Sequence, residues 1–237
     1  MRVRRNLDEA DPPAREPVTV QWPPPFAPPS SGPWPQMRVP RQAAPARRLH
    51  TTMLAVDICA FGDHRHDDPV QCLLRRQMYE HLRRACEFAV LPWRRCHHED
   101  RGDGVLIVAP ADLPVERLFE PLAHHLATAL WRYNRNAADS TRLRMRLAVH
   151  SGLVAPDPYG VSGRALIELF RLLDARAFKN VVARSRRPLG VILSERFYAD
   201  ARTCGGLADA DAYHAIRVRT KEARIPAQVR TDLGTFD

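Results

Sequence analysis

Two short segments carry carboxylates where carboxylates can do chemistry. In the run Leu54 to Gly62, LAVDICAFG, Asp57 closes an apolar stretch. In EDRGDGVLIVAP, Glu99 to Pro110, Asp103 sits in a Gly-Asp-Gly turn that opens a second apolar stretch, Val105 to Ala109. Each acid stands at the mouth of a strand expected to be buried. Two such carboxylates brought together form a site for a divalent cation, whose hard oxygen donors and charge suit phosphoryl chemistry. Taken singly, each acid has a plainer reading. Asp57 alone is a strand-end or capping residue, and Asp103 alone is a turn residue, because Asp-Gly favours tight hairpins.

Other reactive types are less telling. Asp63, His64, His66, Asp67 and Asp68 are nearly contiguous, unlike the spacing of a structural zinc site, and read as a solvated loop. His97 and His98 precede the Gly-Asp-Gly turn, and strand alternation lets only one of them face a site. Arg142, Arg144 and Arg146 alternate with Leu143, Met145, Leu147 and Val149. They line one face of a half-buried strand and are expected to contact a helix or a second subunit.

The elements that must position these residues follow from periodicity. Met53 to Ile58 reads as a buried strand. A helix is expected over about 69–90, with Val70, Leu74, Met78, Leu82, Ala85 and Ala89 on one face and Pro92 as its stop. Residues 94–109 read as a hairpin turning at Arg101 to Gly104. A second helix is expected over about 114–134, striped by Val115, Leu118, Leu122, Leu126, Ala129 and Tyr133. A strand over 143–149 leads to a Gly/Pro-rich loop over 151–163. A third helix covers about 164–177, with Leu166, Phe170 and Leu173 inward. A strand at 189–193, a short helix after Ser194 and a strand near 213–219 complete the body. The order is that of a ferredoxin-like βαββαβ core with a C-terminal extension, an α+β fold. In it the first strand lies beside the central hairpin, so Asp57 can stand next to the turn that carries Asp103.

Composition sets the remaining bounds. Residues 1–48 hold 12 of the 21 prolines, with Trp22, Phe26 and Trp34 among them, and read as a disordered, Pro/Arg-rich arm ahead of one domain over 49–237. The formal charge is +9, but the basic residues are nearly all arginine, with Lys179 and Lys221 the lysines. That bias reflects GC-rich coding, so the charge is discounted as a sign of nucleic-acid binding. The 5 cysteines (59, 72, 86, 96 and 204) form no Cys-x-x-Cys pair and read as reduced thiols of a cytoplasmic protein. No apolar run is long enough to span a membrane, and the basic N-terminus lacks the apolar stretch of a secretory signal.

Four segments together resemble the class III nucleotidyl cyclases. AVDICAFG (55–62) resembles their first metal-binding strand, and RGDGVLIV (101–108) resembles their Gly-Asp-Gly hairpin. RMRLAVHSGLV (144–154) resembles the following strand, with Ala148, Val149, His150 and Gly152 at its signature. VSGRALIELFRLLD (161–174) resembles the helix of their transition-state residues. The resemblance covers 51 to about 200 and excludes the arm. It implies that two divalent ions, Mg²⁺ or Mn²⁺, bind Asp57 and Asp103. One helps the ribose 3′-oxygen to ionise, and the other neutralises a nucleoside triphosphate as pyrophosphate leaves. It further implies that backbone N–H groups of Ile58, Cys59, Ala60 and Phe61, beside Gly102 of the turn, cradle phosphates. Arg171 falls at the transition-state arginine, supplied across a head-to-tail homodimer or by a heterodimer partner.

Two positions depart from the pattern. The asparagine one turn before the arginine is Ile167, which cannot donate a hydrogen bond. The lysine that reads a purine is Glu99, which reverses the charge. Bacterial pyrimidine cyclases of antiphage signalling resemble this chain in keeping both aspartates while altering the base-reading positions. The expectation is a cyclase-like domain in bacterial nucleotide signalling, making a 3′,5′-cyclic monophosphate if active. The alternative is a catalytically degenerate homologue that binds nucleotide or protein.

Overall fold

The structure, a computed structural model, describes residues 48–157, 160–219 and 224–234. The arm expected over 1–48 lies outside the described residues, apart from Arg48. The first elements are β1 (Leu49–Ile58), α1 (Asp68–Phe88), β2 (His97–Asp100), β3 (Gly104–Val108), α2 (Val115–Asn136) and β4 (Met145–Asp157). They form the expected βαββαβ core. Next come β5 (Gly160–Ser162), α3 (Arg164–Leu173), α4 (Arg176–Ser185), β6 (Leu189–Ser194), α5 (Glu195–Thr203), β7 (His214–Arg219) and β8 (Arg224–Arg230). Among the described residues the sheet runs β2-β3-β1-β4-β6-β8-β7, with β5 paired to β4 at its far end.

Strand alternation sorts the core into two faces. From β1, Leu54, Val56 and Ile58 pack with Leu74, Met78 and Leu82 of α1 and with Phe119, Leu122 and Leu126 of α2. Met53 and Ala55 point the other way, against Leu169 and Leu172 of α3 and Phe178 of α4. Asp57 has the parity of Met53 and Ala55, so it projects on the face covered by α3 and α4. A fully buried Leu or Phe contributes about 1.5–3 kcal/mol, and this is what fixes the parity: slipping β1 by one residue would carry its whole apolar set across the sheet.

Local chemistry sets the ends of the elements. Asp67 caps α1 by accepting from the Val70 N–H, and Pro69 takes an early position in the helix. The helix ends at Phe88, before the proline expected to stop it, and Val90 adopts a left-handed φ of 58°. Ser194 caps α5 through the Phe197 N–H.

Four expectations need correction. The loop placed over 151–163 is mostly strand: β4 continues to Asp157 and folds back as β5, pairing Ala155 with Ser162. The single helix over 164–177 is two, broken at Asp174 and Ala175. On α2, Val115, Leu122 and Leu126 are buried as expected, but Phe119, Ala123, Ala127 and Leu130 join them while Leu118, Ala129 and Tyr133 are half-buried. On α3, Leu173 is buried as expected, but the other buried positions are Ala165, Leu169 and Leu172, with Leu166 and Phe170 half-buried. Among the described residues no helix is long and apolar enough to cross a membrane.

Candidate functional site

β1 pairs antiparallel with β3 on one side and with β4 on the other, and both registers converge on Asp57: its partners are Gly104 and Arg146. Position 104 has to be glycine, because a Cβ there would lie 2.2 Å from the Val56 carbonyl oxygen. This close approach brings the turn against the end of β1, where the Ile58 N–H donates to the Asp103 carbonyl at 2.9 Å. Asp103 itself is exposed and near enough to disfavour charge on Asp57 by repulsion.

The turn is braced from α1. Asp100 accepts from Arg75 at 2.8 Å, from the Tyr79 hydroxyl at 2.5 Å and from the Gly102 N–H at 2.9 Å. The Arg75 hydrogen bond is the main reason that the Asp100 carboxyl falls to about 2. Gly102, at φ 82°, supplies the left-handed step.

Asp57 is 8% exposed, and burial pushes its carboxyl above the ordinary carboxylate range despite Arg146. Arg146 forks onto it: Nε donates to Oδ1 at 2.8 Å and Nη2 to Oδ2. Both oxygens of the acid expected to bind metal are therefore in contact with a guanidinium. Alternation in 142–149 placed Arg146 on one face of its strand, but its partner depends on the β1–β4 register, which only the fold reveals. Arg144 does meet a helix, donating to the Val182 carbonyl of α4 at 2.6 Å.

The four N–H groups expected to cradle phosphate divide into two pairs. Those of Ile58 and Cys59 are committed to the sheet, to Asp103 and Arg144 respectively. Ala60 turns the chain with a left-handed φ of 54°, carrying its own N–H and that of Phe61 beyond the sheet's ladder. The Asp63 cluster is tied up locally: Asp63 pairs with Arg65 at 2.8 Å, His66 Nδ1 lies 3.2 Å from the Phe61 carbonyl, and Asp67 is the helix cap. Among the described residues no group of three or more His, Cys, Asp or Glu could hold a metal.

Glu99 has structural partners of its own. Its Oε1 accepts from the Val161 N–H of β5 at 3.1 Å, and its Oε2 from Arg101 at 2.6 Å, while His97 lies 3.0 Å from Oε1. Of the adjacent histidines, His98 stacks on Trp93, with ring centroids 4.0 Å apart. On α3, Ile167 is 54% exposed and Arg171 is half-buried. Both line a cavity of about 420 Å³ with Phe170 and Arg101, which brings α3 to the turn that carries Asp103.

The described fold is similar to solved catalytic domains of nucleotide cyclases. The guanylyl cyclase Cya2 superposes with a TM-score of 0.54 at 15% identity, over 78% of this chain and 91% of that one. An adenylate/guanylate cyclase/hydrolase from Silicibacter pomeroyi gives 0.54 at 15%, over 78% and 96%. The guanylate cyclase domain of RhGC from Catenaria anguillulae, solved in complex with GTP, gives 0.53 at 13%, over 78% and 97%. The fold is that of a nucleotide cyclase catalytic domain. No family model matches the sequence, and no curated protein matches it. Within the cyclase fold, the Asp57–Asp103 pair fits a divalent ion in donor chemistry, being two oxygen ligands beside a turn. An ion arriving at Asp57 must displace Arg146 or share the acid with it.

Proposed function

We propose that this cyclase-fold domain binds a nucleoside triphosphate at the Asp57–Asp103 mouth and, when fully assembled, converts it to a 3′,5′-cyclic monophosphate and pyrophosphate in bacterial signalling. The observation that carries the reading is the double register at Asp57, which sets the end of β1 against the turn of Asp103. The ribose 3′-oxygen would lose its proton and attack the α-phosphorus, and the bond to the bridging oxygen of pyrophosphate would break. Asp57 and Asp103 would hold Mg²⁺ or Mn²⁺, which supplies Lewis-acid neutralisation of the phosphates when bound. Arg146, displaced from Asp57, would stay beside the triphosphate as a cation. The N–H groups of Ala60 and Phe61 would donate to phosphate oxygens. Arg171 would face the developing charge of a site completed by a second subunit, identical or homologous.

A second reading, a silent homologue that binds nucleotide or protein without turnover, is favoured by Ile167. An exposed isoleucine cannot donate to a transition state, and loss of one such donor costs about 10²–10³ in rate. The test is incubation with ATP, GTP, CTP and UTP separately, each with Mn²⁺, and mass spectrometry of the products. A cyclic monophosphate that disappears in Asp103→Ala supports the enzyme. No product from any of the four, by a folded dimer that binds Mn²⁺, favours the silent homologue or a site that lacks its activating partner.

A further inference from the structure

A cavity of about 680 Å³ lies away from the aspartates. It opens under the start of α3, where β4 passes beneath the helix. Its lining includes His150, four residues along β4 from Arg146, so about 13 Å from the Asp57 pair at the rise of a strand.

Its charge is one-sided. Arg48, Arg164 and Arg196 line it, with His50 and His150 beside them, against the single carboxylate of Glu168. Arg164 lies 3.4 Å from Glu168. Arg48 and Arg196 are exposed and have no carboxylate partner among the described residues. The helix end above is uncapped: Gly163 at its N-cap offers no side chain to the first N–H groups, which carry the positive end of the helix dipole. His150 is a separate sign. It is 7% exposed, its Nε2 is 3.5 Å from Glu168, and its Nδ1 is buried without a hydrogen-bond partner. A buried polar nitrogen left unpaired is costly to the fold.

We propose that this cavity is a second ligand site, taking the phosphomonoester of a nucleoside-sized small molecule. Guanidinium forks and helix N–H groups match the several acceptor oxygens of a phosphate dianion. The volume is far larger than inorganic phosphate needs and falls in the range of pockets that enclose small organic ligands. Leu153, Val154, Ala155 and Ala165 supply an apolar wall for the body of such a molecule. The site needs neither the aspartates nor a metal, so it stands or falls independently of the cyclase reading.

The experiment uses the full chain in EDTA, which silences any metal-dependent nucleotide binding at the aspartates. Adenosine 5′-monophosphate, inorganic phosphate and adenosine are titrated separately by calorimetry, with His150 followed by NMR. The monophosphate is expected to bind, to shift the His150 resonances and to weaken at least about tenfold for each of Arg48→Ser and Arg196→Ser, the loss of a charge-assisted contact. Both arginines are exposed, so neither change should impair folding. Binding should persist in Asp103→Ala. Equal binding of inorganic phosphate would support an anion site but overturn the nucleoside-sized ligand. Equal binding of adenosine, indifference to both arginine changes, or no binding of any of the three at millimolar concentration would overturn the site.

Discussion

Arg146 on Asp57 and Arg230 on Glu120 are both guanidinium–carboxylate contacts with little water around them, but their surroundings differ. Arg230 is 6% exposed and almost fully engaged. Nη1 donates to Glu120 at 3.3 Å and to the Asp209 carbonyl at 3.2 Å, Nη2 to the Asp209 carboxylate at 3.1 Å, and Nε to Asp232 at 2.8 Å. The ring of Tyr213 lies 5.5 Å from its guanidinium carbon. Glu120 in turn accepts from the Ala208 N–H. This network joins α2 to β8 and to the segment ahead of β7. Arg146 serves one acid, at the open end of a strand, with the exposed Asp103 at hand. The Arg230–Glu120 pair is a closed structural joint. The Arg146–Asp57 pair is open to exchange under the proposed function, because a cation arriving at Asp57 would replace one positive charge with another.

The largest effect should come from the closed joint. Arg230→Met leaves Glu120 buried without its cation and should lower unfolding free energy by about 3–5 kcal/mol, read from denaturant midpoints. A loss near zero would erase the contrast. Arg146→Met should cost less, about 1–3 kcal/mol, because Asp57 at the mouth can reach water or take a proton. The same change should raise Mn²⁺ affinity at least about tenfold by removing the competing charge and weaken triphosphate binding. Unchanged Mn²⁺ affinity by calorimetry would make Arg146 as structural as Arg230.

On α3, Ile167→Asn should leave stability within about 0.5 kcal/mol, since the side chain is exposed. If the missing donor is the sole defect, it should raise turnover by up to about 10². The smallest effect concerns the brace of the turn. The Asp100 carboxyl is lowered from 3.8 to about 2, so what it adds to stability is complete above pH 4 and is lost as pH falls towards 2. Acid titrations of Asp100→Asn and the parent should therefore differ near neutrality and converge at about pH 2.

The sequence made the convergence of Asp57 and Asp103 legible because both acids end apolar runs, and the order of elements allows few ways to pair those runs. Arg146 was legible as a face but not as a partner, since pairing 57 with 146 depends on a register that no local pattern carries. The role of Glu99 was hidden by reading 151–163 as a loop; without β5 there is no Val161 N–H for it to accept from. β8 was missed for a related reason. Pro226 argues against a central strand, yet it pairs with Arg217 of β7, while β6 pairs with the stretch Ala227–Arg230. The arginine network fell with β8, and its members lie far apart in sequence.

The two halves of the aspartate mouth also differ in when they can form. The β2–β3 turn closes between near neighbours, and hairpins of this kind assemble in about 1–10 μs. Asp57 meets Arg146 only when segments 89 residues apart are brought together, against the entropy of closing that loop. A chain emerging during synthesis would thus present a finished Gly-Asp-Gly turn well before β4 exists to neutralise Asp57. The acid at the end of β1 would spend that interval in water, acquiring its counter-charge when β1 zips to β4 and its cover only when α3 and α4 close over that face.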